Sequence, residues 1–93
     1  MKVLIAIDLQ NDFISGALGT KEAEAIVSTA RSLIESFEGP ILYTLDTHSE
    51  AYLKTEEGRA LPVPHCIEGT EGWQIEPTIL KALEAKSAIA ITK

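Results

Sequence analysis

Cysteine is nearly absent from the sequence: Cys66 is the only one, so no disulfide can form within the chain. Long hydrophobic runs are absent as well. The apolar stretch near the start, residues 3–7, has five residues, whereas a membrane-spanning helix needs about 20. No small-residue cleavage site follows Lys2, so a signal peptide is not expected. These absences predict a cytoplasmic protein that does not bind a membrane.

Positive charge is also scarce, because 14 Asp and Glu residues outnumber 8 Lys and Arg residues and the net charge is −6. Neither sign is collected into a long block. The phosphates of a nucleic acid would be repelled on balance, so no nucleic-acid partner is expected. With 45% hydrophobic and 24% charged residues, the chain has the composition of an ordinary globular domain.

Three short apolar runs predict the strands of a parallel sheet. The first, "MKVLIAID", is continuously apolar and β-branched, which is typical of a central strand buried on both faces. The second is Ile41–Asp46 and the third is Ala88–Thr92. Helical spacing in "KEAEAIVSTARSLIESFEGP" predicts one helix that is capped by Thr20 and has Ile26 on its buried face. A second helix is predicted to begin at Pro77.

The strand–helix–strand order predicts right-handed crossovers and a flavodoxin-like or Rossmann-like α/β layer. The sequence stops at Lys93, where the third strand ends, without another helix to cover the sheet. One face of the sheet would then stay bare, at about 25 cal/mol per Å² of apolar surface left in water. We therefore expect a parallel sheet with flanking helices that is truncated after its third strand.

A charged residue follows each predicted strand: Asp8, Asp46 and Lys93. The carboxyl ends of parallel strands meet at one edge of the sheet, where open α/β sheets bind their ligands. We therefore expect the three side chains to share one crevice. Each also has an ordinary structural explanation, since a strand-ending Asp can cap a loop and a terminal Lys is commonly solvated.

The loop that follows Asp46 is rich in potential metal ligands. His48 lies two residues after Asp46, so both side chains point to the same side of an extended chain. The loop adds His65 and either Glu57 or Glu56. Carboxylates and imidazoles together suit Zn²⁺, Mn²⁺ or Fe²⁺, with water completing the shell. The same composition is also common in a solvated acidic loop.

Two segments resemble a known family. "AIDLQNDFISGAL" resembles the N-terminal motif of the isochorismatase-like cysteine hydrolases, the superfamily of the nicotinamidases, and "TLDTHSEAYLKTEEGRALPVPHCIEGTEGW" resembles their metal and substrate loop. The resemblance implies that residues 1–93 are the N-terminal half of a single isochorismatase-like hydrolase domain. It also implies hydrolysis of a carbon–nitrogen bond, typically of nicotinamide to nicotinate and ammonia, by an Asp–Lys–Cys triad beside a divalent metal.

The resemblance assigns roles to individual residues. Asp8 and Lys93 match the Asp and Lys of the triad, and Phe13 matches an aromatic residue of the substrate pocket. The implied metal ligands are Asp46, His48, Glu57 and His65. Glu57 is preferred as the fourth ligand because Lys54 stands where other members have a His. Zinc is the metal expected first.

The nucleophilic cysteine of the family lies beyond the position of Lys93, outside this chain. Cys66 does not match it and is interpreted as a small buried thiol. The 93-residue chain by itself is therefore expected to be inactive. The expected partners are a small amide substrate and either further copies of the chain or the missing C-terminal half.

Two other functions remain open. The first is a cysteine hydrolase of the same superfamily that acts on another amide or on a carbamoyl compound. The second is a non-enzymatic module similar to a phospho-receiver domain, which also has acids at its strand ends. A receiver needs two adjacent acids after its first strand, whereas Asp8 stands alone and Asp12 lies four residues further on. His48 and His65 would favour a transition metal over the Mg²⁺ of a receiver.

Overall fold

Three parallel strands and five α-helices make up the computed structural model, which describes all residues from Met1 to Lys93. The elements are β1 (Leu4–Ile7), α1 (Asn11–Ile14), α2 (Lys21–Ala25), α3 (Val27–Ser36), β2 (Ile41–Leu45), α4 (Glu56–Ala60), α5 (Pro77–Ala85) and β3 (Ile89–Thr92). The predicted α/β class, with helices that flank a parallel sheet, is confirmed. None of the helices combines the length and apolar character needed to cross a membrane.

The strand order is β1-β2-β3, with Leu4 opposite Ile41 and Leu42 opposite Ile89. This order corresponds to half of a Rossmann sheet, because a flavodoxin-like sheet would place β1 between the other two strands. The prediction that β1 is central is wrong for this chain, since β1 pairs only with β2. In the complete Rossmann order, further strands follow on the free edge of β1.

The two faces of the sheet differ in burial. Helices α3 and α5 cover one face, where Ile34, Ile79 and Leu83 are almost fully buried. On the opposite face, four isoleucine side chains of β1 and β3 are between 42% and 63% exposed. They are Ile5, Ile7, Ile89 and Ile91. The expected bare face is therefore present, and the prediction that β1 is buried on both faces is wrong for the face that carries Ile5 and Ile7.

The predicted helix after Thr20 is divided into α2 and α3. Thr20 caps α2 as predicted, because its Oγ1 accepts a hydrogen bond of 2.9 Å from the N–H of Ala23. The break occurs at Ile26, whose N–H bonds back to the carbonyl of Ala23, three residues earlier. A three-residue turn is tighter than an α-helical turn and rotates the following side chains. The prediction that Ile26 is buried is wrong: it is 47% exposed.

The long loop between β2 and α5 is more structured than the sequence pattern indicates. It contains α4 and two 3₁₀ turns, Tyr52–Lys54 and Glu71–Trp73. The N–H of Gly58 donates a hydrogen bond of 3.0 Å to Oγ1 of Thr55, which caps α4. A Cβ at Gly58 would lie 2.0 Å from the carbonyl oxygen of Tyr52. Only glycine therefore allows α4 to approach the first 3₁₀ turn so closely.

Candidate active site and metal centre

An acid–base pair joins the ends of the two outer strands. Asp8 follows β1 and Lys93 follows β3, and Lys93 Nζ lies 3.0 Å from Asp8 Oδ2. The hydrogen bond to Asp8 raises the pKa of Lys93 above its ordinary value, and the negative charges of Asp8 and then Asp46 act in the same direction. Lys93 is therefore held as a cation beside the carboxylate. Two of the three strand-end residues expected to share a crevice, Asp8 and Lys93, therefore lie in contact.

Thr44 fixes the orientation of Asp8. It lies on β2, between the two outer strands, and its Oγ1 donates a hydrogen bond of 2.7 Å to Asp8 Oδ1. Thr44 Oγ1 also accepts a hydrogen bond of 3.0 Å from the main-chain N–H of Asp8. Asp8 has φ of 53°, in the left-handed region that few residues other than glycine adopt. Sequence reasoning missed Thr44, for which the only signal was a hydroxyl group inside the apolar run "ILYTL".

Three predicted metal ligands converge at the end of β2. Asp46, His48 and His65 each offer a ligand atom, and these atoms lie within 4.8 Å of one another. Asp46 Oδ2 lies 3.1 Å from His48 Nε2 and 3.6 Å from His65 Nε2. Two of these residues are close in sequence, whereas His65 is brought to them by the folded loop. The residues together form a group that can hold a metal ion.

The donor atoms of this group and the two separations from Asp46 fit a tetrahedral ion. Zinc–ligand bonds of about 2.0–2.1 Å place neighbouring ligand atoms about 3.4 Å apart, close to the separations of 3.1 and 3.6 Å. His65 Nδ1 lies 2.8 Å from the carbonyl oxygen of Val63. That contact assigns the ring proton to Nδ1, so that Nε2 presents its lone pair toward Asp46.

Glu57 lies beside this group of three, on α4. Its Oε2 is 3.6 Å from His48 Nδ1, the ring nitrogen that faces away from Asp46, and its side chain is 60% exposed. Glu56, the alternative, is exposed. The position of Glu57 is compatible with two roles, because the carboxylate can orient His48 or turn toward the metal. Its assignment as the fourth ligand stays a prediction.

Aromatic rings surround the two histidines. The ring of Tyr52 contacts both, at centroid distances of 4.8 Å from His48 and 5.1 Å from His65. Tyr52 is 1% exposed, and its hydroxyl donates a hydrogen bond of 2.7 Å to the carbonyl of Leu61. Phe13, the predicted pocket residue, meets His65 edge-on at 5.5 Å. Sequence reasoning missed Tyr52, because nothing in its local pattern distinguishes it from any other loop tyrosine.

The single cysteine is inert in this setting. Cys66 is fully buried, in agreement with its interpretation as a small buried thiol. Burial, followed by the charges of Asp46, Asp12 and Asp8, raises the pKa of the Cys66 thiol to about 12. Because only the thiolate is a strong nucleophile, Cys66 is not suited to attack an amide at neutral pH.

The fold and the site together define an open α/β protein with an acid–base pair and a metal-ligand group at the carboxyl edge of a parallel sheet. A model of the isochorismatase domain family matches residues 2–89. The chain therefore belongs to the isochorismatase family. This membership excludes the receiver-like alternative, and the strand order agrees, because β1 does not lie between β2 and β3. No match was found among curated proteins.

Several solved structures share this fold. The nicotinamidase/pyrazinamidase of Bacillus subtilis is 33% identical, with a TM-score of 0.81 over 98% of this chain and 55% of that one. A pyrazinamidase of Pyrococcus horikoshii in complex with zinc is 29% identical, with a TM-score of 0.73 over 98% and 50%. The N-carbamoylsarcosine amidase of Thermoplasma acidophilum is 27% identical, with a TM-score of 0.78 over 98% and 50%. The chain thus spans about half the length of these structures.

Proposed function

We propose that this chain supplies the acid–base pair and the metal centre of an amide hydrolase that converts nicotinamide and water to nicotinate and ammonia. One observation carries the proposal: the ion pair of Asp8 and Lys93 lies at the same sheet edge as the group formed by Asp46, His48 and His65. The names of the similar solved proteins, which describe nicotinamidases, pyrazinamidases and an amidase, support this class of reaction.

In the proposed mechanism, Asp8 acts as a general base. It accepts the proton of a cysteine thiol that belongs to the part of the fold outside this chain. The thiolate attacks the amide carbonyl carbon, the carbon–nitrogen bond breaks, and the nitrogen leaves as ammonia with the proton held by Asp8. Asp8 then accepts a proton from water, which attacks the thioester and releases nicotinic acid and the thiolate. Asp8 returns its proton to the thiolate, and the acid loses its own proton to solvent as nicotinate. Lys93 remains a cation throughout and stabilises the Asp8 carboxylate and the cysteine thiolate by Coulomb attraction.

We propose zinc as the metal, because two imidazoles and one carboxylate are a donor set that zinc prefers, although manganese and iron accept it too. When bound, the ion supplies a positive charge that orients an electron-pair donor of the substrate. His48 and His65 would hold it through Nε2, and Asp46 through Oδ2. Phe13, edge-on to His65, would form one wall of the substrate pocket.

The test is an ammonia-release assay on protein purified from the cells that produce it. The substrates are nicotinamide, pyrazinamide and N-carbamoylsarcosine. We expect nicotinamide hydrolysis that is lost on chelation and restored by zinc. Preference for N-carbamoylsarcosine would instead support the alternative hypothesis, a hydrolase of the same superfamily that acts on a carbamoyl compound. The similarity to N-carbamoylsarcosine amidase favours that alternative. The isolated 93 residues are expected to bind zinc without hydrolysing any of the three; hydrolysis by them would contradict the need for an outside cysteine.

We further propose that the bare sheet face is covered by the part of the fold that the longer solved structures contain and this chain does not. The chain covers 50–55% of those structures, and a complete Rossmann sheet has helices on both of its faces. Burying one isoleucine side chain stabilises a fold by about 1.5–3 kcal/mol. The four exposed isoleucines therefore favour a covered face.

Cysteine labelling tests this arrangement. Ile5→Cys and Ile89→Cys place a thiol on the bare face, and Leu53→Cys places one on the first 3₁₀ turn; the three positions are 53%, 62% and 52% exposed. We expect maleimide to label position 53 rapidly and positions 5 and 89 slowly, while buried Cys66 contributes no background. Equal rates at all three positions would contradict a covered face, and a native particle of twice 10.1 kDa whose denatured subunits each have a mass of 10.1 kDa would identify a second copy as the cover.

A further inference from the structure

A buried glutamine holds the main chain of one metal-ligand candidate. Gln10 is fully buried, and its Oε1 accepts a hydrogen bond of 2.9 Å from the N–H of Asp46. Its Nε2 donates hydrogen bonds of 2.8 Å to the carbonyl of Asp46 and 2.7 Å to the carbonyl of Trp73. The side-chain amide of Gln10 thus provides hydrogen-bond partners for both the main-chain N–H and the main-chain carbonyl of Asp46. Any rotation of the Asp46 peptide would leave a buried polar atom without a partner, which costs about 1–3 kcal/mol.

Two residues further on, Asp12 holds the segment of His65. Its Oδ2 accepts a hydrogen bond of 2.8 Å from the N–H of Cys66, the residue after His65. Cys66 has φ of 49°, a left-handed conformation that few residues other than glycine adopt, so this contact stabilises an uncommon backbone turn. A Cβ at Gly72 would lie 2.2 Å from Asp12 Oδ2, and a Cβ at Gly16 would lie 2.4 Å from Oδ1. Because Gly16 and Gly72 have no side chain, the Asp12 carboxylate fits between them; a Cβ at either position would clash with it.

The same segment also fixes the backbone of His48. The N–H of His48 donates a hydrogen bond of 2.9 Å to the carbonyl of Cys66, and the carbonyl of His48 accepts one of 2.9 Å from Glu68. Fixing Cys66 from one side therefore restrains both histidines. Neither Gln10 nor Asp12 belongs to the group of three that offers metal-ligand atoms.

We propose that Gln10 and Asp12 are positioning residues for the metal centre: Gln10 sets the main chain of Asp46, and Asp12, through Cys66, sets those of His65 and His48. The inference rests on the proposed metal centre. It differs from a general structural role, because it predicts that metal affinity depends on these two side chains more than on their neighbours. Outer-shell partners of metal ligands typically account for about 10–100-fold in affinity.

The test compares cobalt(II) binding to the wild-type protein and to Gln10→Met, Asp12→Ala, Asp12→Asn and Asn11→Ala. Asn11 is the matched control, because its Nδ2 donates a hydrogen bond of 2.8 Å to the carbonyl of Glu71 and so ties α1 to the same loop without contacting a metal-ligand segment. The readouts are the dissociation constant, the visible cobalt spectrum and the melting temperature, each measured where circular dichroism shows a folded protein. Asp12→Asn keeps the side-chain size and one acceptor oxygen, so it serves if Asp12→Ala does not fold; Gln10→Glu, which keeps the acceptor for the N–H of Asp46 and loses the two donated hydrogen bonds, serves in the same way if Gln10→Met does not fold.

We expect Gln10→Met and Asp12→Ala to lower cobalt affinity by about 10–100-fold and to change the spectrum, with a smaller loss in Asp12→Asn. Asn11→Ala should lower the melting temperature and leave the affinity unchanged. Wild-type affinity in the folded Gln10 and Asp12 variants, or an equal loss in Asn11→Ala, would overturn the positioning role while leaving the metal centre intact. A wild-type protein that binds neither cobalt nor zinc would overturn the metal centre and this inference together.

Discussion

Replacing Asp8 by Asn is expected to lower kcat/KM for amide hydrolysis by about 10²–10⁴-fold, the usual contribution of a general base. The amide has almost the same shape and can still accept the hydrogen bond from Thr44, so the fold should persist. It cannot take a proton from a thiol, however, and it removes the negative charge beside Lys93. Ammonia release under steady-state conditions measures the loss. Activity within a few-fold of wild type would show that another group is the base.

The same substitution should lower the pKa of Lys93, because the hydrogen bond and the charge of Asp8 are the main causes of its raised value. In the wild-type protein, the stabilising contribution of this pair is fully present below the ordinary pKa of lysine and is lost as the pH rises through the raised pKa. Asp8→Asn should lack that alkaline transition. Titration of the lysine Nζ resonances by NMR follows both effects, and a Lys93 pKa unchanged by the substitution would contradict the pairing.

The strand-end residues could be predicted from the sequence because their placement follows from topology alone. Asp8, Asp46 and Lys93 each end an apolar run, and parallel strands present their carboxyl ends at one edge. Thr44 and Gln10 could not be predicted in this way. Each meets its partner, Asp8 or Asp46, across 36 residues of chain, and such contacts depend on strand register and loop path rather than on local pattern.

The wrong predictions about the fold have a related cause. The apolar run of β1 predicts burial, but burial of a strand also depends on what lies beside it and over it, and within these 93 residues β1 has one neighbour and one covered face. Ile26 has helical spacing in the sequence, yet one tight turn after Ala23 is enough to rotate it outward. Periodicity indicates which residues could share a face and does not determine whether the helix continues unbroken.

The second large effect is expected for His65→Ala, which should lower zinc affinity by about 100–1000-fold. Sites with four ligands bind zinc with about 10–16 kcal/mol, so one ligand accounts for about 2.5–4 kcal/mol, and each 1.4 kcal/mol is about tenfold. His65→Gln is the matched variant, since it keeps a polar side chain in a site that is 3% exposed. Competition titration with a chromophoric chelator measures the affinity. Wild-type affinity in folded His65→Ala would remove His65 from the metal centre.

Glu57→Ala and Glu56→Ala, measured in the same titration, separate the two candidates for the fourth ligand. We expect Glu57→Ala to lose at least about tenfold in affinity, because its carboxylate lies 3.6 Å from His48 Nδ1 and either orients that ring or binds the ion. Glu56, one residue earlier on the same helix and exposed, should show no loss. A loss in Glu57→Ala as large as that in His65→Ala means direct ligation, which requires the side chain to turn from Nδ1 toward Asp46. A smaller loss means that Glu57 acts through His48, and water then completes the zinc shell.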